Sequence, residues 1–144
     1  MRFRIPVDPV GKGRPRATTI GGFARMYTPK KTKSYETIVR RAAEDAFLAA
    51  LQAPFTGPLR VEINARFPLA ASHHRKRSPV PAAPHTGKPD IDNVYKAILD
   101  GLNGVAFLDD CQIVELSGDK WTLAQGETGY VDVTIMPYDA VPAD

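Results

Sequence analysis

From Leu59 to Phe67 the chain alternates without a break: Leu59, Val61, Ile63, Ala65 and Phe67 are apolar, and Arg60, Glu62, Asn64 and Arg66 stand between them. A period of two belongs to an extended strand, whose successive side chains point to opposite faces of a sheet. The fold must therefore supply a sheet to bury that apolar face. A shorter run of the same kind, Phe3, Ile5 and Val7 against Arg2, Arg4 and Pro6, predicts a first strand near an edge. Residues Gln112 to Leu123 and Tyr130 to Pro137 read as two further strands joined by the turn at 124–129, with Val131, Val133 and Ile135 giving the last one its alternation.

Between these strands the spacing becomes helical. From Ser34 to about Ala53, Ile38, Ala42, Ala46 and Ala49 form a stripe that Phe47, Leu48 and Leu51 widen, with Thr32 or Ser34 as cap and Pro54 and Gly57 as stop. A second helix is predicted from Asp92 or Asn93 to about 101–104. Its residues Val94, Ala97, Ile98 and Leu102 face the core, and Asp92, Lys96 and Asp100 share the opposite face. Residues 9–33, broken by Pro9, Gly11, Gly13, Pro15, Gly21, Gly22 and Pro29, read mostly as a basic loop, with a short pairing strand from Gly22 to Tyr27. Residues 70–89, rich in proline and basic side chains, read as a mobile extended loop. The order strand, strand, helix, strand, helix, strand, strand predicts an α/β chain of the α+β kind: a mixed β-sheet with two packed α-helices. At 144 residues it is one domain, 1–144.

Charge is unevenly placed. The chain carries 19 basic and 16 acidic residues, yet from Arg2 to Arg41 the only acids are Asp8 and Glu36. Such a stretch suits a polyanionic partner. No apolar run approaches the length of a membrane span, and Met1 to Ile5 has no apolar signal region behind its charges, so the expectation is a cytoplasmic protein without a membrane partner. Cys111 is the single cysteine, which rules out an internal disulfide or zinc knuckle, and reads as a packing residue. His73, His74 and His85 read as solvated loop residues or phosphate contacts.

The chemistry concentrates in Asp90-Ile91-Asp92-Asn93-Val94-Tyr95-Lys96 and, one helix-length later, Asp109-Asp110. Asp90 and Asp92 sit at a loop-to-helix junction where both carboxylates can converge on one ion, Lys96 lies one turn further, and Asp110 can bring a third carboxylate. Mg²⁺ takes one or two carboxylates with water and substrate phosphate oxygens, so this pattern suits metal-assisted phosphodiester hydrolysis. The same residues also suit an ordinary helix cap and a solvated helix face. Against that plainer reading stands the doubled acid, Asp109-Asp110, after an apolar run. An EF-hand loop would need an oxygen ligand at Val94 and a glycine at Tyr95. The aspartyl-phosphate motif of haloacid-dehalogenase-like phosphatases must end a buried strand, whereas His85 to Pro89 precedes Asp90 here. The chain is short for a DxD glycosyltransferase, and no Gly-x-Ser-x-Gly elbow exists.

The run from Lys88 through Asp90, Asp92, Asn93, Lys96 and Asp100 to Leu102, continuing at Leu108-Asp109-Asp110-Cys111-Gln112, resembles the RusA family of Holliday junction resolvases. The likeness extends to Gly11-Lys12-Gly13-Arg14-Pro15-Arg16, to Tyr27-Thr28-Pro29 and to Ser34-Tyr35-Glu36. It implies a small homodimeric endodeoxyribonuclease that uses Mg²⁺, with Mn²⁺ as a substitute, and that is often carried by phages and prophages of bacteria. It also implies Asp90, Asp92 and Asp110 as catalytic metal-binding acids and Lys96 as the essential basic residue, with Asn93, Asp100 and Asp109 in support. On that reading a four-way junction would lie over Lys12, Arg14 and Arg16, over Lys30, Lys31 and Lys33 at the positive end of the first helix, and over Arg75, Lys76 and Arg77. A C2 dimer matches the two opposed nicks that a junction requires. A metal-dependent nuclease acting on flaps or other branched DNA would share every motif, and a catalytically silent DNA-binding module would use the acids only as caps.

Overall fold

The computed structural model describes residues 1–13, 16–20, 22–27 and 30–139. In chain order the elements are β1 (Arg2–Ile5), β2 (Arg16–Ile20), β3 (Phe23–Tyr27), α1 (Lys30–Ala49), β4 (Leu59–Phe67), β5 (Ala83–Pro84), α2 (Ile91–Leu102), β6 (Ile113–Thr122) and β7 (Tyr130–Pro137). Short 3-10 turns lie at Ala71–His73 and Asp110–Gln112.

The alternating run becomes β4, at the centre of a five-stranded sheet ordered β1-β7-β4-β6-β5. It pairs antiparallel with β7 and parallel with β6, so the sheet is mixed. Parallel pairing needs a long crossover, and α2 lies within the one from β4 to β6. Register aligns Val61 with Ile135, Ile63 with Val133 and Ala65 with Val131, while β1 sets Phe3 beside Val133 and Ile5 beside Val131. All of these side chains are buried in one core, closed by Tyr35, Val39, Ala43 and Phe47 of α1 and Val94, Ala97, Ile98 and Leu102 of α2. Burying each large aliphatic or aromatic side chain there contributes about 1.5–3 kcal/mol.

Three expectations change. Helix α1 runs from Lys30 to Ala49, not from Ser34 to Ala53, so Lys30, Lys31 and Lys33 belong to its first turn rather than to a loop. Its buried stripe is Tyr35, Val39, Ala43 and Phe47, while Ile38 is 41% exposed. Both rows follow helical spacing, the buried one by fours and the expected one by four, four and three. The bulkier one takes the centre because Phe47 meets Phe3 and Phe55 edge-to-face at 6.3 and 5.9 Å. The stretch expected to be mostly loop contains a complete hairpin, with β2 paired to β3 from Arg16–Tyr27 to Ile20–Phe23.

The segment 70–89 is mostly extended, as expected, and several contacts tie it to the rest of the fold. The Gln125 amide accepts from the backbone of Arg75 and Val80 and donates to the Arg75 carbonyl, and Ala83–Pro84 pairs with the end of β6. His85 stacks on Phe67 at 4.0 Å between ring centroids, and its ring nitrogens meet Thr122 Oγ1 at 2.8 Å and the Lys88 carbonyl at 3.0 Å. It is an anchor rather than a solvated residue. Cys111 is exposed, not packed.

The other face of the sheet is polar and laced with ion pairs: Arg60 with Glu115, Arg66 with Asp119 at 2.7 Å, and Arg4 with Asp132 at 2.8 and 3.1 Å. The bond from Arg4 holds the Asp132 carboxyl below its ordinary range against the opposing effect of burial, with Arg2 assisting. A carboxyl depressed in the folded chain adds stability above its unfolded pKa and loses it as pH falls through the folded value. Asp132→Asn should therefore cost about 1 kcal/mol at neutral pH, a figure discounted for the exposure of Arg4. Urea titrations should show that deficit shrinking below about pH 4. A deficit independent of pH would rule out the ion pair as its source.

Candidate active site

Helix α2 starts where Pro89 prevents the chain from continuing as helix upstream. Asp90 occupies its N-cap with extended backbone, and the first helical bond runs from the Val94 amide to the Asp90 carbonyl at 3.1 Å. The Asp90 carboxylate does not cap; it accepts from Lys88 Nζ at 2.8 Å. Asp92 is exposed in the first turn, where the helix dipole favours an acid. The loop before them is braced from β6, since Lys120 Nζ donates to the carbonyls of Gly87 and Pro89 at 2.9 and 2.8 Å.

On the polar face of α2, Lys96 donates to Asp100 one turn on, at 3.0 Å, and faces Asp110 at 4.0 Å. Asp110 arrives on the 3-10 turn before β6, and the neighbouring Asp109 explains why that turn forms there. Asp109 accepts from the Cys111 amide and joins Gln112 in a reciprocal capping box. Gln112 in turn accepts from the amides of Leu108 and Asp109 and donates to the carbonyls of Phe55 and Gly57, pinning the turn to the chain leading into β4.

One acid of the doubled pair is thus structural. The other is not accounted for by the fold. Burial raises the Asp110 carboxyl, a hydrogen bond with Asp109 adds to this, and Lys96 opposes it. Asp109 is lowered, first by the Cys111 amide and then by the bond with Asp110. Two carboxyl groups held together beside a single ammonium make a point where a further positive charge is favourable.

The implied Mg²⁺ can be tested against these donors. Among the described residues no three Asp, Glu, His or Cys side chains are grouped to hold one ion by themselves. The donors are nevertheless carboxylate oxygens, which suit a hard cation, and Mg²⁺ commonly takes only one or two from protein while water and substrate phosphate supply the rest. The residues fit an ion shared with substrate, not a closed cage.

Of the basic residues assigned to DNA, Lys30, Lys31, Lys33, Arg75, Lys76 and Arg77 are all exposed. Arg14 lies outside the described residues, and of Arg16 only the backbone, in β2, is described. Lys12 stands apart. Its side chain is 18% exposed, and its ammonium is held between Glu36 at 2.5 Å and Asp100 at 3.0 Å. Burial lowers its pKa, but the two carboxylates outweigh burial and leave it raised. Sequence spacing gave no signal for this contact, nor for the bracing by Lys120 and His85. The capping box of Asp109 and Gln112 was not read from the sequence either, although an acid three residues before a glutamine is the signal for it.

Residues 6–136 match the model of a family of DNA-cutting phosphodiester hydrolases, described as Endodeoxyribonuclease RusA. The chain belongs to the RusA endodeoxyribonuclease family. It is also 30% identical over 129 residues to a Bacillus subtilis (strain 168) protein named Uncharacterized protein YqaN, an alignment covering 84% of this chain and 87% of that one. No helix among the described residues is long and apolar enough to cross a membrane.

Proposed function

We propose that the protein is a Mg²⁺-dependent endonuclease that resolves four-way DNA junctions by paired nicks, as a homodimer acting in recombination and repair in the bacterial cytoplasm. Family membership over residues 6–136 carries the nuclease reading. The carboxylate chemistry of Asp90, Asp92 and Asp110 supports the metal: one or two of them would hold it at a time, water and substrate phosphate would complete its shell, and Mn²⁺ would serve as a substitute. When bound, the ion supplies Lewis-acid polarisation of the phosphodiester and a more acidic water.

The chain's own groups do the positioning. Lys96 presents an ammonium beside Asp110, where it meets the negative charge that builds on phosphate in the transition state. Asp100 holds that ammonium one turn down the helix, and Asp109 keeps the 3-10 turn that delivers Asp110. Lys30, Lys31 and Lys33 at the positive end of α1, and Arg75 to Arg77, offer exposed charge to the DNA arms. A groove of about 370 Å³ between β1 and α1, lined by Phe3, Pro6, Ile38, Ala42 and Ala46 together with Arg4, Thr37, Arg41 and Asp45, leaves mainly apolar surface next to an edge strand. That surface supports the dimeric reading.

The test is cleavage of a synthetic four-way junction, a flap and a linear duplex, each with Mg²⁺, with Mn²⁺ and with chelator. Symmetric paired nicks confined to the junction, lost in chelator, are expected. Preference for the flap would move the reading to another branched substrate, and cutting in chelator would remove the metal. No cleavage with either ion would leave a DNA-binding module.

A further inference from the structure

The Gly11-Lys12-Gly13 segment, whose lysine was expected to meet DNA, is folded into the protein. The Lys12 amide donates to the Asn93 carbonyl of α2 at 2.8 Å, and the Gly13 amide donates to the hydroxyl of Thr32, a buried residue of α1, at 3.0 Å. Gly11 lies so close to the loop before Asp90 that a β-carbon on it would stand 2.5 Å from Cβ of Pro89. The chain therefore crosses from α1 to the start of α2 at the point where the candidate acids begin.

Lys12 ends in this crossing, with its ammonium between Glu36 of α1 and Asp100 of α2. Asp100 uses its two oxygens separately: Oδ2 meets Lys12 at 3.0 Å, and Oδ1 meets Lys96 at 3.0 Å. Lys96 then faces Asp110 at 4.0 Å. Charges alternate along the row Glu36, Lys12, Asp100, Lys96, Asp110, so each group is held by neighbours of opposite sign. Without Lys12, Asp100 could rotate freely about its side-chain bonds and follow Lys96, and Lys96 would lose its fixed place beside Asp110.

We infer that Lys12 is a positioning residue for the nuclease reaction: it makes no phosphate contact, and it orients Lys96 through Asp100. The inference rests on the proposed nuclease function. It deepens that reading by giving the Gly-Lys-Gly segment a role in the rate of cutting instead of in DNA affinity. Misplacing a reacting group by about 1 Å can cost about a hundred-fold in rate.

The test measures single-turnover cleavage of a four-way junction at saturating protein, with junction Kd at several salt concentrations, for the parent, Lys12→Met, Asp100→Asn and the double variant. Lys12→Met should cut about 10- to 100-fold more slowly. Its Kd and the slope of log Kd against log salt should match the parent, whereas loss of a phosphate contact would reduce that slope by about 0.9. Because Lys12 acts through Asp100, the double variant should be no slower than Asp100→Asn alone. Glu36→Gln, which keeps the lysine but weakens its outer anchor, should slow cutting by a smaller factor at unchanged Kd. It serves as the readout if Lys12→Met does not fold. Parental rates in Lys12→Met, or in Glu36→Gln where that is the readout, overturn the inference, as do a reduced salt slope or additive losses in the double variant. A parent protein that cuts no DNA overturns the proposed function itself and the inference with it.

Discussion

Asp110→Asn should reduce junction cleavage by about a hundred- to a thousand-fold, the scale on which single electrostatic groups at reacting centres act. Binding should be retained. The argument comes from what surrounds this carboxyl. Asp109 already does the structural work of the turn, accepting the Cys111 amide and closing the box with Gln112, so the 3-10 turn does not need a charge at 110. Asp110 instead meets Asp109 and Lys96, and it is the acid that joins the turn before β6 to the polar face of α2. Asparagine preserves its size and removes its charge. Phosphate attraction is not weakened by losing a negative group, so junction Kd should stay level or tighten slightly while the rate collapses. Gel-shift and single-turnover assays on one preparation separate the two effects. Cleavage at the parental rate would show that the site has been assigned wrongly.

Gly118→Ala should be the most damaging small change to the fold. Gly118 lies in β6 opposite Ile63 of β4, with φ +148, in a region that L side chains rarely adopt. A β-carbon there would stand 1.7 Å from the Ile63 carbonyl oxygen and 2.7 Å from its carbon, both backbone atoms of the central strand. A flexible side chain could turn aside; this carbonyl cannot without breaking the ladder. Backbone strain and forced repacking together are expected to cost about 3 kcal/mol or more, seen as a fall in Tm of about 10 °C. The Tyr95 hydroxyl lies 3.0 Å from the same position, so the displacement would also reach α2 and the site it carries. Thermal unfolding followed by circular dichroism measures the first effect and junction cleavage the second. A Tm within a degree or two of the parent would contradict the close passage of β6 beside β4.

Much of this was legible locally. The alternation at 59–67 became β4 at the predicted residues, the expected apolar face of α2 was buried, and the last strand kept its predicted bounds. Helix α1 was harder because its two apolar rows both follow helical spacing, and only the aromatic contacts with Phe3 and Phe55 select between them. The hairpin β2–β3 was half seen, since its first strand, Arg16–Ile20, carries no long apolar alternation. The anchoring of 70–89 was missed because it depends on Gln125 and Thr122, far along the chain.

The candidate site divides in the same way. Sequence by itself determined the periods, the placement of Asp90 and Asp92 at a helix start, the spacing of Lys96 and Asp100 by one turn, and the acid pair at 109–110, because each depends on neighbours a few residues away. Tertiary structure alone decided which acids are structural and which face the lysine. It also decided that Lys12, basic like the rest of its segment, is enclosed by Glu36 and Asp100 instead of facing solvent. Charge and spacing are local properties of a chain, whereas desolvation and ion pairing depend on what the fold brings against a side chain.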